Sequence, residues 1–140
     1  MRYWRPVTTM VVAVCLLAAG CVSEWDRGMQ ALKADPMASA SWEGLEQVGT
    51  SQTVNEGWKP RPPRFTRCFK LSITPEEALK TVLATAEEHG WVEDESLREY
   101  IYSRSRKKLQ GFSGGLAMSP DNTGCEQYPE ADFRITLDYP

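Results

Sequence analysis

Few side chains in this 140-residue sequence could do chemistry. There is one histidine, His89, and four cysteines, Cys15, Cys21, Cys68 and Cys125. The cysteines stand singly, so no paired-thiol redox or zinc motif is present, and zinc needs several nitrogen or sulfur ligands. His89 has only Glu87 and Glu88 beside it. Its place in the last turn of a predicted helix suits a cation that favours the helix dipole. No motif places a serine or cysteine nucleophile for it. Two acidic turns, Glu93-Asp94-Glu95 and Asp121-Asn122-Thr123-Gly124, carry oxygen ligands. Calcium loops, however, spread such ligands around a conformational glycine, and short acidic runs are commonly solvated turns. Gly111-Phe112-Ser113-Gly114-Gly115 lacks the lysine and helix that follow a phosphate-cradling loop. The residues point to no catalytic set, no metal site and no cofactor.

The charged feature with a possible use is basic. Arg104, Arg106 and Lys108 fall on one face of a predicted strand together with Tyr100 and Tyr102. Cations on a strand face or edge oppose strand-to-strand aggregation. The other reading is a patch for anionic lipid headgroups or cell-wall polymers, each cation adding up to about 1 kcal/mol near an anionic surface.

One cysteine sits in a more specific setting. Leu16-Leu17-Ala18-Ala19-Gly20-Cys21 ends an apolar run, 7–19, that follows the basic head Met1-Arg2-Tyr3-Trp4-Arg5. The run is shorter than the roughly 20 apolar residues that span a bilayer. A basic head, a short apolar run and small residues before a cut mark an export signal. The stretch resembles the lipobox of bacterial lipoproteins, with Ala18 where leucine is usual and the leucine one place earlier, at Leu17. The chain as a whole resembles small bacterial lipoproteins, actinobacterial ones among them. The further likeness lies in Ala31-Leu32-Lys33-Ala34-Asp35-Pro36-Met37-Ala38 and in a helix ending at Gly90-Trp91. It implies no activity. It does imply residues 1–20 as a signal peptide, acylation of Cys21, and a location on the extracytoplasmic face of the cell membrane. Val22 follows the cysteine, so a cell with two membranes would send the protein to the outer one. A single acyl chain binds reversibly at about 0.8 kcal/mol per buried CH₂, and the two or three chains of a lipoprotein cysteine would anchor stably.

That resemblance settles the cysteine arithmetic. Cys15 leaves with the signal, Cys21 takes the lipid, and Cys68 and Cys125 are expected to pair in an exported domain. Of 16 basic residues Arg2 and Arg5 also leave, and the remaining 14 against 19 acidic residues give a formal charge of −5. An acidic, exported chain is a poor partner for nucleic acid.

Residues 21–64 read as a loosely ordered tether. A short helix over 24–34 would put Met29 and Leu32 on one side, limited by Gly28 and Asp35-Pro36. Lys59-Pro60-Arg61-Pro62-Pro63-Arg64 favours extended polyproline II. Trp25, Trp42 and Trp58 are more than a spacer needs. They either pack on the domain edge, sit at the lipid interface, or belong to a partner-binding segment.

Residues 65–140 read as a small α+β domain. Phe65, Phe69, Leu71 and Ile73 alternate on one side of a strand that Arg67 interrupts, with Cys68 on the other side. Thr74, Pro75 and Glu77 open a helix with a capping box. Leu79, Val82, Leu83 and Ala86 make its apolar stripe, and Gly90 ends it. Strands are expected from Tyr100 through Lys108, over 112–118, and through Phe133, Ile135, Leu137 and Tyr139. The predicted fold is one helix on a mainly antiparallel sheet of about four strands, in the order β-α-β-β-β. With no catalytic set, the expected role is a membrane-anchored, non-catalytic interaction or envelope-associated module. Its partner would be an envelope protein or cell-wall polymer. The alternative is a small-ligand carrier or envelope enzyme using the acidic turns or the basic, tyrosine-bearing face.

Overall fold

Thr74 opens the helix that its sequence announces. The computed structural model, which describes residues 20–98 and 102–139, places α1 at Glu24–Ala34 and α2 at Pro75–Glu88. The Glu77 N–H donates to Thr74 Oγ1 at 3.2 Å, and the Thr74 N–H donates to Glu77 Oε2 at 3.0 Å. Both first-turn donors are thereby satisfied, and Pro75 has no N–H to leave unpaired. Gly90, at φ +85°, takes the left-handed position beyond the helix end. Of the predicted stripe Val82, Leu83 and Ala86 are buried and Leu79 is half-buried, while Ala78, which the stripe did not include, is buried as well.

Six strands make one antiparallel sheet: β1 Leu45–Gln52, β2 Arg64–Leu71, β3 Val92–Glu93, β4 Ser103–Leu109, β5 Phe112–Ser119 and β6 Phe133–Asp138. Their spatial order is β1-β2-β6-β5-β4-β3. The α+β class holds, but one helix and about four strands in the order β-α-β-β-β must be corrected to two helices and six strands. The two extra strands lie at the sheet edges. β1 has the sequence LEQVGTSQ, too polar to show a period of two, and a bulge near Val48 shifts its register between Gln47 and Gly49. β3 is two residues long and has no periodicity to read. Of the second predicted strand, Tyr100 and Ile101 lie outside the described residues.

The larger correction concerns the stretch read as a loosely ordered tether. Residues 24–52 are part of the fold. Ser23 caps α1, accepting the Asp26 N–H at 3.0 Å. Met29, Ala31 and Leu32 are buried. Gly28 does not break α1, because its bare Cα lets the helix close on Tyr139 and Pro63. Asp35 then caps a short 3-10 turn, Pro36–Ala38, that buries Met37. Two buried charges hold this segment to the sheet. Arg67 donates to the carbonyls of Met37 at 2.9 Å and Ala40 at 2.7 Å, and to Gln47 Oε1. Its guanidinium also lies against the Trp42 and Phe69 rings. Asp35 accepts from Lys107 and Trp91. In the sequence Arg67 merely interrupts an alternation; in the fold it faces the core and fills it with donors.

Both helices cover the same sheet face. Phe69, Phe133, Ile135, Leu137, Leu116 and Met118 form its core with Val82 of α2 and Leu32 of α1. Gly114 is bare because a Cβ there would collide with Leu109 and crowd Trp91. On the reverse face the 120–132 connection crosses β2, pinned by a Cys68–Cys125 disulfide with Cα atoms 5.9 Å apart. Bridging residues 57 apart restricts the unfolded chain by about 4 kcal/mol on the chain-entropy account. A small second cluster of Cys68, Cys125 and Ala131 packs there with Val48 and Tyr128.

Candidate functional surface

Strand pairing brings together cations that are distant in the sequence. Arg64 pairs with Asp138, Asp138 with Gly115, and Gly115 with Arg106. These four residues form one row across the reverse face, where no helix packs. Arg104 reaches over Gly115 to Asp138, its two terminal nitrogens 2.9 and 3.0 Å from the carboxylate oxygens. A side chain at 115 would strike both partners. Glycine at this position is therefore what lets a bidentate ion pair lie flat on the sheet.

The β1–β2 connection folds over this end. Its neck is closed by the Thr53 N–H donating to the Arg64 carbonyl at 3.0 Å and the Arg64 N–H donating to Thr53 Oγ1 at 2.9 Å. Beyond the neck, Arg61, Arg64, Arg104, Asp138 and Tyr139 line a cleft of about 330 Å³. A neighbouring hollow of about 500 Å³ adds Lys59, Glu56 and Thr66. The proline cluster does not run free. The Trp25 indole N–H donates to the Arg61 carbonyl at 2.8 Å, and the Tyr139 N–H donates to the Pro63 carbonyl at 3.0 Å. The start of α1, the β1–β2 connection and the chain after β6 thus meet at one end of the sheet. The β4–β5 turn joins them, Gln110 and Gly111 sharing a hollow with Glu24 and Tyr139.

The predicted site residues divide as follows. Among the described cysteines, Cys21 is exposed and free, two residues before the cap of α1, while Cys68 and Cys125 are bridged. Arg104, Arg106 and Lys108 do share one strand face; Arg106 and Lys108 are exposed, and Arg104 is engaged by Asp138. Tyr102 is not on that face. It packs against the core on the helix side, lining a groove with Leu79 and Leu83 of α2, and burial with the nearby Glu76 carboxylate raises its phenol pKa. Tyr100 lies outside the described residues. His89 is the residue at the C-terminal cap of α2.

The acidic turns are occupied by their own neighbours. Glu93 accepts from Arg98, an interaction that holds its carboxyl below the usual carboxylate range, with Ser103 adding to it. Asp94 caps the short turn after it, accepting the Ser96 N–H. Burial works against ionisation of Asp121, but hydrogen bonds from Ser119, Arg134 and the Thr123 N–H outweigh it and hold the carboxyl well below that range. Among the described residues no three His, Cys, Asp or Glu side chains are grouped to hold a metal ion.

Sequence reasoning missed Lys59, Arg61 and Arg64 as members of this surface. Their signal was visible in the Lys-Pro-Arg-Pro-Pro-Arg run, but it read as an extended spacer because nothing local shows that Trp25 and Tyr139 clamp it. No known family model, curated protein or solved structure matches the chain. Among the described residues no helix is long and apolar enough to cross a membrane.

Proposed function

We propose that this is a lipid-anchored, extracytoplasmic lipoprotein acting as a non-catalytic interaction or envelope-associated module. The observation that supports it best is the state of Cys21. It is exposed and unbridged, it directly follows the lipobox-like Leu16-Leu17-Ala18-Ala19-Gly20, and it lies two residues before Ser23, the cap of α1. A disulfide elsewhere in the chain fits an oxidising, extracytoplasmic setting. The partner would be an envelope protein or a cell-wall polymer, met through the exposed cations of the reverse face. A ligand carrier or envelope enzyme has less support. Glu93 and Asp121 are each engaged by an arginine, and Tyr102 stands away from the basic face.

Intact mass of the protein isolated from membranes tests the anchor. The expected species starts at Cys21 and carries two or three acyl chains. Cys21→Ser should abolish both the added mass and partition into detergent. An unchanged mass and unchanged partition in that variant would sink the reading. Pull-down from native membranes tests the role: the captured partner should be lost on charge reversal of Arg106 and Lys108.

A further inference from the structure

We infer that the end of the molecule bearing Trp58 lies on an anionic bilayer, with the Trp58 indole at headgroup depth. This deepens the lipid-anchor reading above and rests on it for the placement of Cys21. Three observations converge.

The first is reach. Only Val22, Ser23 and Glu24 separate Cys21 from Trp25, a span of at most about 14 Å of extended chain. The Trp25 indole is tied to the Arg61 carbonyl. Acyl chains on Cys21 would therefore enter the membrane beside the β1–β2 connection. Because α1 starts at Glu24, the tether expected over 21–64 shrinks to the few residues before it, too few to hold the domain away from the surface.

The second is apolar exposure. Four large hydrophobic side chains are exposed among the described residues: Val22, Val54, Trp58 and Val92. Val22, Val54 and Trp58 sit on the chain start or the β1–β2 connection; Val92 is on the far edge strand, β3. Trp58 is fully exposed and Val54 is 56% exposed. An indole with an apolar body and a polar N–H prefers the membrane–water interface. Pro60, Pro62 and Pro63 restrict the segment that presents it, which reduces the ordering cost of insertion.

The third is charge. Residues 53–64 contain Lys59, Arg61 and Arg64 against one carboxylate, Glu56, in a chain that is acidic overall. None of the three cations forms an ion pair with a described residue. Of the acids at the start of α1, Asp26 accepts the Ser23 hydroxyl and Glu24 faces the Tyr139 hydroxyl. Cations next to an interfacial tryptophan match anionic headgroups.

The test uses the protein isolated from membranes and reconstituted into phosphatidylglycerol–phosphatidylcholine vesicles whose acyl chains are brominated near the headgroup. Bromine should quench tryptophan emission in wild type, and the Trp58→Phe variant should lose most of that quenching. Lys59→Glu with Arg61→Glu should weaken it, as should vesicles of phosphatidylcholine alone. Equal quenching in wild type and Trp58→Phe overturns the inference. Mass of the same preparation reads the anchor separately. Acylated Cys21 without Trp58-specific quenching keeps the anchor and overturns the docking. Unmodified Cys21 with Trp58-specific quenching overturns the anchor and supports docking by charge and indole alone. Absence of both overturns both.

Discussion

Lys107 donates from Nζ to Asp35 Oδ2 at 2.8 Å, joining the segment after α1 to β4 across 72 residues of sequence. The Asp35 side chain is 1% exposed and that of Lys107 is 23% exposed. Asp35 also accepts the Met37 N–H at 2.9 Å and the Trp91 indole N–H at 3.1 Å. One carboxylate thus caps the 3-10 turn, orients the largest buried side chain and meets a cation. Asp35→Ala should leave the buried Met37 and Trp91 N–H donors unpaired and cost about 3–5 kcal/mol. Asp35→Asn should cost less, because an amide oxygen can still cap and Lys107 can turn to solvent. Denaturant unfolding of the two variants checks that order; equal losses would mean the charge alone matters.

Arg67 has no carboxylate partner among the described residues, yet it is buried. Burial pushes its guanidinium down to about 10, which still leaves it charged at neutral pH. Its donors are spent on two backbone carbonyls and Gln47. A lysine offers one compact donor group and cannot reach all three acceptors. Arg67→Lys should therefore be nearly as damaging as Arg67→Met, each by about 3 kcal/mol or more. Full rescue by lysine in thermal unfolding would show that charge rather than fork geometry is needed.

Gly115 is the floor of the Arg104–Asp138 pair. Gly115→Ala should displace that pair and destabilise the protein by about 1–3 kcal/mol. Combining it with Asp138→Asn should cost less than the sum of the single changes, since both act on one contact. Additive losses in a double-mutant cycle would contradict this geometry.

Acid should weaken the fold through Glu93 and Asp121. Both carboxyls are held below their ordinary values in the folded state. The unfolded chain therefore binds protons first, so their contribution is present above the ordinary carboxylate range and is lost as pH falls through the folded values. Melting temperature should drop between about pH 5 and pH 3. Glu93→Gln and Asp121→Asn should each flatten that slope. An unchanged slope in both variants would assign the acid sensitivity to other groups.

Much of the fold was legible because its signals are local. The capping box of α2 and the alternation in β2 and β6 each need only a few residues and one chemical rule, while the Cys68–Cys125 pairing was expected through the resemblance to lipoproteins. The edge strands were not legible. β1 is too polar and β3 too short to carry a period, and each becomes a strand only because a neighbour offers backbone donors and acceptors. The basic surface was half legible. Arg104, Arg106 and Lys108 stand close in sequence and share a strand, but their union with Arg61 and Arg64 depends on β6 lying between β2 and β5.

By itself the sequence determined the helix ends and the face that each strong strand buries. These follow from backbone geometry and from side chains within a few residues. Tertiary structure alone decided that residues 24–52 belong to the fold, that Arg67 and Asp35 are interior charges, and that Trp58 stands exposed on the connection that Arg61 ties to α1. Those outcomes rest on hydrogen bonds and packing between residues 20 or more apart, such as Arg67 with Gln47, Trp25 with Arg61 and Asp35 with Lys107. No local pattern encodes such contacts, because their free energy exists only once the distant partner is in place.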